Sequence, residues 1–238
     1  DKKKYNVSAN ELDGEMITDF DLSGKIMGGE NAIYIGRNAF VKNININNGA
    51  ESKGKITSDW KHFSPEYGFW DTEQTTTYRE KYDDGHVTTK TGKIKPLYIQ
   101  YGGNDYGYKD YIPGLVTNLN FNGDIHYDSD ISGSDNLKMN IAAGTMTFTG
   151  NADVVNVKVA EGAALYGGNY IVNDMSNNMA IGYKDDETGK FINHGTVGAV
   201  TKDTAMTIQG DLVSDGMLCA YGGGEKGHIE VTGNADVD

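Results

Sequence analysis

The 238-residue chain contains one cysteine, three prolines and no apolar run long enough to cross a bilayer. A single cysteine excludes an internal disulfide, and Cys219 is expected to be a small buried side chain in a strand. A transmembrane helix needs about 20 consecutive apolar residues, so we expect no membrane contact by this segment. Only 21 lysines and arginines face 34 acids, which gives a net charge of −13. This balance argues against a nucleic-acid partner, whose phosphates attract basic surfaces.

Glycine, by contrast, is abundant, with 32 residues. It punctuates short runs in which apolar and polar residues alternate, and the stretch 136–168 shows the pattern most clearly. Such alternation is typical of short strands that bury one face. The apolar positions of this stretch are Met139, Ile141, Met146, Phe148, Val157 and Val159.

Parts of the chain also recur. Residues 39–54 match 152–167 at a constant offset of 113 positions, from Ala39 to Ala152. The hexapeptide Thr-Gly-Asn-Ala-Asp-Val occurs at 149–154 and again at 232–237. Recurring short strands and turns predict an all-β solenoid, a right-handed parallel β-helix in which like residues stack and apolar columns fill the interior. A β-sandwich is the competing interpretation, but it does not require near-identical turns.

Residues 61–114 break this pattern. We interpret residues 1–238 as a single β-helix segment of a larger protein and residues 61–114 as an excursion inserted into it. Within the excursion, 87–94 and 96–101 have strand patterning, which fits a β-hairpin or a small subdomain. Its aromatic residues are candidates for binding a sugar or a protein through their flat faces, or for packing the excursion onto the rest of the chain. The candidate binding residues are Trp60, Trp70, Tyr101, Tyr106, Tyr108 and Tyr111.

Three further motifs are specific in combination: G-T-x-T-F-T-G at 144–150, N-V-x-V-A-E-G-A-x-L at 156–165 and N-H-G-T-V at 193–197. Together they resemble the passenger β-helix of bacterial autotransporters. The resemblance covers Asp21–Trp60 and Val116–Asp238 and is greatest to passengers that carry a subtilisin-like serine protease module. It implies an extracellular or cell-surface segment, exported through the outer membrane. Its flanking protease and C-terminal β-barrel modules would lie outside this chain, whose two ends are expected to continue into a longer protein.

No catalytic residues, cofactor or metal site are expected. His194-Gly195-Thr196 is similar to the histidine block of subtilisin-like proteases, but no serine block accompanies it, so we expect Asn193–Gly195 to form a turn. Asp128 and Asp130 begin like a calcium loop, yet Met139 stands where that loop needs a bidentate acid. Other acids are scattered over predicted turns: Asp124, Asp153 and Asp211.

The favoured function is that of a non-catalytic stem that holds an effector module away from the outer membrane and folds progressively during secretion. The alternative is an adhesin that binds a host glycan or surface protein through the aromatic excursion. A polysaccharide-degrading β-helix enzyme is the less favoured third reading.

Overall fold

The computed structural model describes side chains at 19–36, 41–59, 116–174, 186–220 and 227–238. For residues 16–18 and 40, and for short strands between 4 and 8 and between 74 and 107, it describes the backbone. The regular structure of these residues is entirely β. In chain order the strands are β1 (Lys4–Tyr5), β2 (Val7–Ser8), β3 (Met16–Leu22), β4 (Lys25–Ile35), β5 (Phe40–Asn47), β6 (Glu51–Ser58), β7 (Gln74–Lys81), β8 (Val87–Ile94), β9 (Tyr98–Tyr101), β10 (Asn104–Gly107), β11 (Thr117–Asn122), β12 (Ile125–Tyr127), β13 (Ile131–Ser132), β14 (Leu137–Ala143), β15 (Thr145–Phe148), β16 (Asn151–Val154), β17 (Asn156–Val159), β18 (Ala164–Tyr166), β19 (Asn169–Val172), β20 (Lys190–Asn193), β21 (Thr196–Gly198), β22 (Met206–Gln209), β23 (Asp211–Ser214), β24 (Met217–Cys219), β25 (Ile229–Val231) and β26 (Ala235–Val237).

Three sheets of parallel strands contain most of these elements. Sheet 1 has the order β3-β5-β11-β14-β17-β20-β23-β26, sheet 2 is β12-β15-β18-β21-β24, and sheet 3 is β4-β6-β13-β16-β19-β22-β25. From β11 onward the chain visits sheets 1, 2 and 3 in turn and then returns to sheet 1 beside its previous strand. We call each pass a rung. In the first two rungs a single long strand, β4 or β6, replaces the two shorter ones.

The register of the sheets stacks like residues over like. One inward column of sheet 1 contains Ile44, Leu119, Met139 and Val157, all fully buried. Ile44 and Val157 are a pair related by the offset of 113 positions, which spans the excursion and two regular rungs. The turns that follow them also agree, because Gly49 and Gly162 both adopt a left-handed φ, of 79° and 78°. The alternation predicted for 136–168 is confirmed, since all six of its apolar positions are buried.

The hexapeptide repeat does not follow this rule. In the first copy, residues 151–154 form β16 of sheet 3, whereas in the second copy residues 235–237 form β26 of sheet 1. The two copies of the hexapeptide therefore do not stack in one column. A segment of alternating apolar and polar residues that follows a turn can form a strand of either sheet. Sequence identity alone therefore does not determine which sheet a copy joins.

Five aromatic rings form a continuous series inside the stack. Neighbouring ring centroids lie 5.2–6.3 Å apart, and the Tyr127 and Phe148 rings are stacked with an interplanar angle of 11°. The two buried phenols each donate a hydrogen bond of 2.7 Å to a backbone carbonyl, Tyr127 to Gly54 and Tyr170 to Gly167. Burial raises the pKa of both phenols, and Asp128 and Asp130 raise that of Tyr127 further. The series runs Phe121, Tyr127, Phe148, Tyr170, Phe191.

These phenols predict a loss of stability at alkaline pH. In the unfolded chain a tyrosine ionises with a pKa near 10, whereas the folded-state pKa of Tyr127 and Tyr170 is higher. Their contribution to folding is therefore complete below about pH 10 and declines as the pH rises above it. The urea midpoint measured against pH should fall less steeply above pH 10 in Tyr170→Phe than in the wild type. Tyr166→Phe, at a half-buried residue, is the control, and an unchanged slope in Tyr170→Phe would contradict the prediction.

The strands of the excursion pair differently from the rungs. β7 and β8 form an antiparallel pair, as do β9 and β10. The short N-terminal strands join them, with β1 beside β7 and β2 beside β9. The two runs with strand patterning at 87–94 and 96–101 thus contain β8 and β9.

Candidate functional site

The six aromatic residues predicted to bind a ligand cannot be assembled into a site. Trp60, Trp70, Tyr108 and Tyr111 lie outside the described residues. Two others lie in strands described by their backbone, where Tyr101 pairs with Asn104 and Tyr106 with Ile99. The aromatic binding surface therefore stays a prediction.

The residues that resembled known catalytic or calcium motifs have ordinary partners in the stack. Asn193–Gly195 forms the predicted turn between β20 and β21. There the His194 Nδ1 lies 2.7 Å from the Asp215 carboxylate at the surface. The Asp130 carboxylate accepts from the amide of Asn151 at 2.9 Å.

The scattered acids also accept hydrogen bonds. Asp124 accepts from the backbone N–H of Thr145, at 2.9 Å. Asp153 accepts from the Asn173 side chain at 2.7 Å, and Asp211 from the backbone N–H of Asn234 at 2.8 Å. Each of these bonds connects one rung to the next. Among the described residues, no group of three or more His, Cys, Asp or Glu side chains could hold a metal ion.

The outward face of sheet 1 carries asparagine ladders, in which the side-chain amide of each rung donates to a side-chain oxygen of the previous rung. In the longest one, the Asn45 amide donates to the Asp21 carboxylate at 2.8 Å. Asn120 then donates to Asn45 and Asn140 to Asn120, both at 2.9 Å. Stacked amides form such ladders because parallel in-register strands bring identical side chains to hydrogen-bonding distance.

The direction of these ladders is uniform. A second one runs from Asn118 through Asn43 to Asp19, and a third from Asn122 through Asn47 to Ser23. The carboxylates of Asp19 and Asp21 can only accept, and each is the last acceptor of its ladder. At the other end the register places a lysine, Lys158 beside Asn140 and Lys138 beside Asn118. The amide N–H groups of the first two ladders thus point toward a carboxylate, which is electrostatically favourable.

We predict that Asn120→Asp destabilises the protein by about 1–3 kcal/mol at neutral pH. A carboxylate at this position accepts from Asn140 but cannot donate to the Asn45 oxygen, so two acceptors would face each other. Asn48→Asp is a matched control with the same change of charge, because the Asn48 oxygen only accepts a bond from the Asp124 N–H. Urea unfolding of both variants measures the difference. Equal losses would contradict a specific role for the ladder.

The corner between sheets 2 and 3 contains the other notable feature, a groove of about 540 Å³. The corner loop, residues 199–205, overhangs it. The groove reaches down past Gly167 and Gly168 to Phe148 in the rung below. Its other lining residues are Thr149, Asn169, Val200, Thr201, Thr204, Ala205, Thr207 and Glu230.

Cys219 lies at the rim of a smaller neighbouring cavity of about 370 Å³, beside Tyr166 and Ala199. It is a free thiol and is half-buried, so the expectation of a buried side chain was wrong. Its strand β24 is the last of sheet 2, where Leu218 continues the inward column and Cys219 is in register with Gly198. Neighbouring residues of a strand face opposite sides of the sheet, and a run of three apolar residues does not show which of them faces inward.

Comparison of the chain with protein-family models, with curated proteins and with solved structures found no match. No helix among the described residues is long and apolar enough to span a membrane.

Proposed function

We propose that the three-sheet stack is a right-handed parallel β-helix that serves as a non-catalytic stem in an autotransporter-like passenger at the cell surface. The observation that carries the proposal is the rotation of strands through the three sheets with the register preserved from rung to rung. Such an architecture repeats along one axis, and its length is set by the number of rungs. The seven spacings between the eight strands of sheet 1, at about 4.8 Å each, give a rod about 34 Å long.

A stem must resist bending and must assemble in sequence. Backbone bonds between parallel strands, the inward columns and the asparagine ladders all connect neighbouring rungs, so each rung is a template for the next. The lone Cys219 is compatible with passage through an export channel in an extended state, since no internal disulfide has to form. The effector module and the outer-membrane anchor belong to parts of the protein beyond this chain.

The stem proposal predicts that display of an effector depends on stacking and not on any one rung. In an export assay the chain carries a reporter enzyme at one end and a membrane anchor at the other. Deletion of residues 137–154, one complete rung that keeps the register, should leave the reporter displayed, because Leu119 and Val157 belong to the same column. Leu119→Asp buries a charge in that column and should abolish display.

Two results would contradict the stem proposal. Leu119→Asp could display the reporter as well as the wild type, or loss of one rung could abolish display although the shortened chain folds by circular dichroism.

An adhesin is the second candidate, because the excursion strands depart from the parallel pattern and functional residues concentrate in such departures. Binding of the chain to an array of glycans and matrix proteins tests it, beside a variant that lacks residues 63–111. Binding that disappears with the deletion would make the excursion the recognition site and the host glycan or surface protein the partner. Absence of binding by the intact chain would reject the adhesin and leave the stem.

A further inference from the structure

The corner groove exists because the rung of β21 makes a longer turn than the two rungs below it. Two residues separate sheet 2 from sheet 3 in the rungs of β15 and β18, whereas seven residues, the corner loop, separate β21 from β22. The loop holds its own shape: the hydroxyls of Thr201 and Thr204 lie 3.0 Å apart, and the Asp203 N–H donates to Thr201 Oγ1 at 3.2 Å. It is therefore an ordered wall above the preceding corner.

Two glycines keep the space beneath this wall open. Gly167 and Gly168 have left-handed φ values of 80° and 89°, which only glycine adopts without strain. A Cβ at Gly167 would lie 2.4 Å from Val200 Cγ2, and one at Gly168 would lie 2.5 Å from Phe148 Cδ1. The missing side chains let the groove extend down to Phe148, whose side chain lies fully buried beneath its floor.

The polar lining is rich in acceptors. The hydroxyl of Thr207 donates to Asn169 Oδ1 at 2.7 Å, and the Asn169 amide donates to Asn151 at 3.0 Å. The Thr207 oxygen thus keeps its lone pairs for a ligand, since a hydroxyl has one donor and two acceptor sites. Glu230, the one carboxyl side chain of the lining, has its Oε1 2.9 Å from His228 Nε2. A ligand must therefore supply donors, and an anion is disfavoured by Glu230 and by the net charge of −13.

We propose that the corner groove is a binding site for a short neutral saccharide. Sugar hydroxyls can donate hydrogen bonds to the Thr207 oxygen and to the Glu230 carboxyl group. The C–H face of a pyranose fits against Val200 and Ala205. The volume of about 540 Å³ lies within the range of about 300–1,000 Å³ that is common for small-molecule sites. This site is separate from the aromatic excursion, and it does not depend on the stem function.

Saturation-transfer NMR on the full chain tests the site with three neutral disaccharides, cellobiose, lactose and N,N′-diacetylchitobiose. At least one should bind the wild type. Ala205→Trp fills the groove, and Thr207→Val removes the acceptor oxygen while keeping the shape of the side chain. Both should weaken binding by about tenfold or more, Ala205→Trp because it occupies the space of the ligand and Thr207→Val because a hydrogen bond to the ligand is lost. Thr145→Val, at an exposed position of sheet 2 outside the groove, should bind as the wild type does.

The proposal is overturned if none of the three disaccharides binds the wild type, or if Ala205→Trp binds as tightly as the wild type. Should Ala205→Trp fail to fold by circular dichroism, Thr207→Val decides the question by itself. The reporter-display assay remains the separate test of the stem, so failure of one proposal is distinguishable from failure of the other.

Discussion

Phe148→Ala should lower the free energy of unfolding by about 3–5 kcal/mol, the range for removal of a fully buried aromatic side chain. Phe148 has no exposed surface and lies between two other rings, with centroid distances of 5.9 Å to Tyr127 and 5.7 Å to Tyr170. Its loss leaves a cavity between two successive rungs, which the parallel hydrogen bonds on either side keep from collapsing. The effect is measured as a lower urea midpoint at an unchanged slope.

Ile171→Ala is the control for this prediction. Ile171 belongs to the neighbouring sheet 3 strand β19 but is 40% exposed, so its truncation should cost less than about 1 kcal/mol. If the two substitutions cost the same, the aromatic series would not be part of the stabilising core.

Gly144→Ala should destabilise the protein by about 2–5 kcal/mol, because two separate costs add. Gly144 has a φ of 74°, in the left-handed region, where an L side chain costs about 1–2 kcal/mol. Its Cβ would also lie 2.4 Å from the carbonyl carbon of Gly123 in the preceding rung. Backbone of a packed rung cannot yield as a flexible side chain can, and overpacking of this kind costs about 1–3 kcal/mol more.

Two other glycines separate these costs. Gly49 has a left-handed φ of 79°, but a Cβ there would have no atom within 4 Å. Gly49→Ala should therefore lower the free energy of unfolding by only about 1–2 kcal/mol. Gly24 has open space and no left-handed φ, and Gly24→Ala should leave stability unchanged or raise it by up to about 1 kcal/mol. Urea unfolding of the three variants should rank them in this order. Equal losses for Gly144→Ala and Gly49→Ala would show that the rungs are not in tight contact at this corner.

The strands could be predicted well from the sequence because alternation is a local property. Met139, Phe148 and Val157 show the pattern within a few residues of their own position, and each is buried as predicted. The offset of 113 positions also carried correct information about stacking, since Ile46 and Val159 share an inward column as Ile44 and Val157 do. The motif Asn-x-Asn-x-Asn, at 43–47 and 118–122, is the sequence signal from which the ladders could have been predicted.

Two features could not be predicted from the local sequence, for a common reason. The second hexapeptide copy lies in sheet 1 and not in sheet 3, and Cys219 is half-buried and not buried. In both cases the local sequence allows either outcome, and the number of residues in the preceding corners decides which sheet and which face a residue occupies.

The residue pattern is enough to establish that the chain consists of short strands with one apolar face and that glycine turns connect them, because these properties depend on neighbouring residues. The division of the strands among three parallel sheets, and the single ladder formed by the amides of Asn45, Asn120 and Asn140, follow from the folded arrangement. The same is true of the groove that the seven-residue corner loop encloses with the glycine corner of the rung below. Each of these features brings together residues from different rungs, about 20 or more positions apart along the chain, and their contact depends on the summed lengths of all the strands and corners between them.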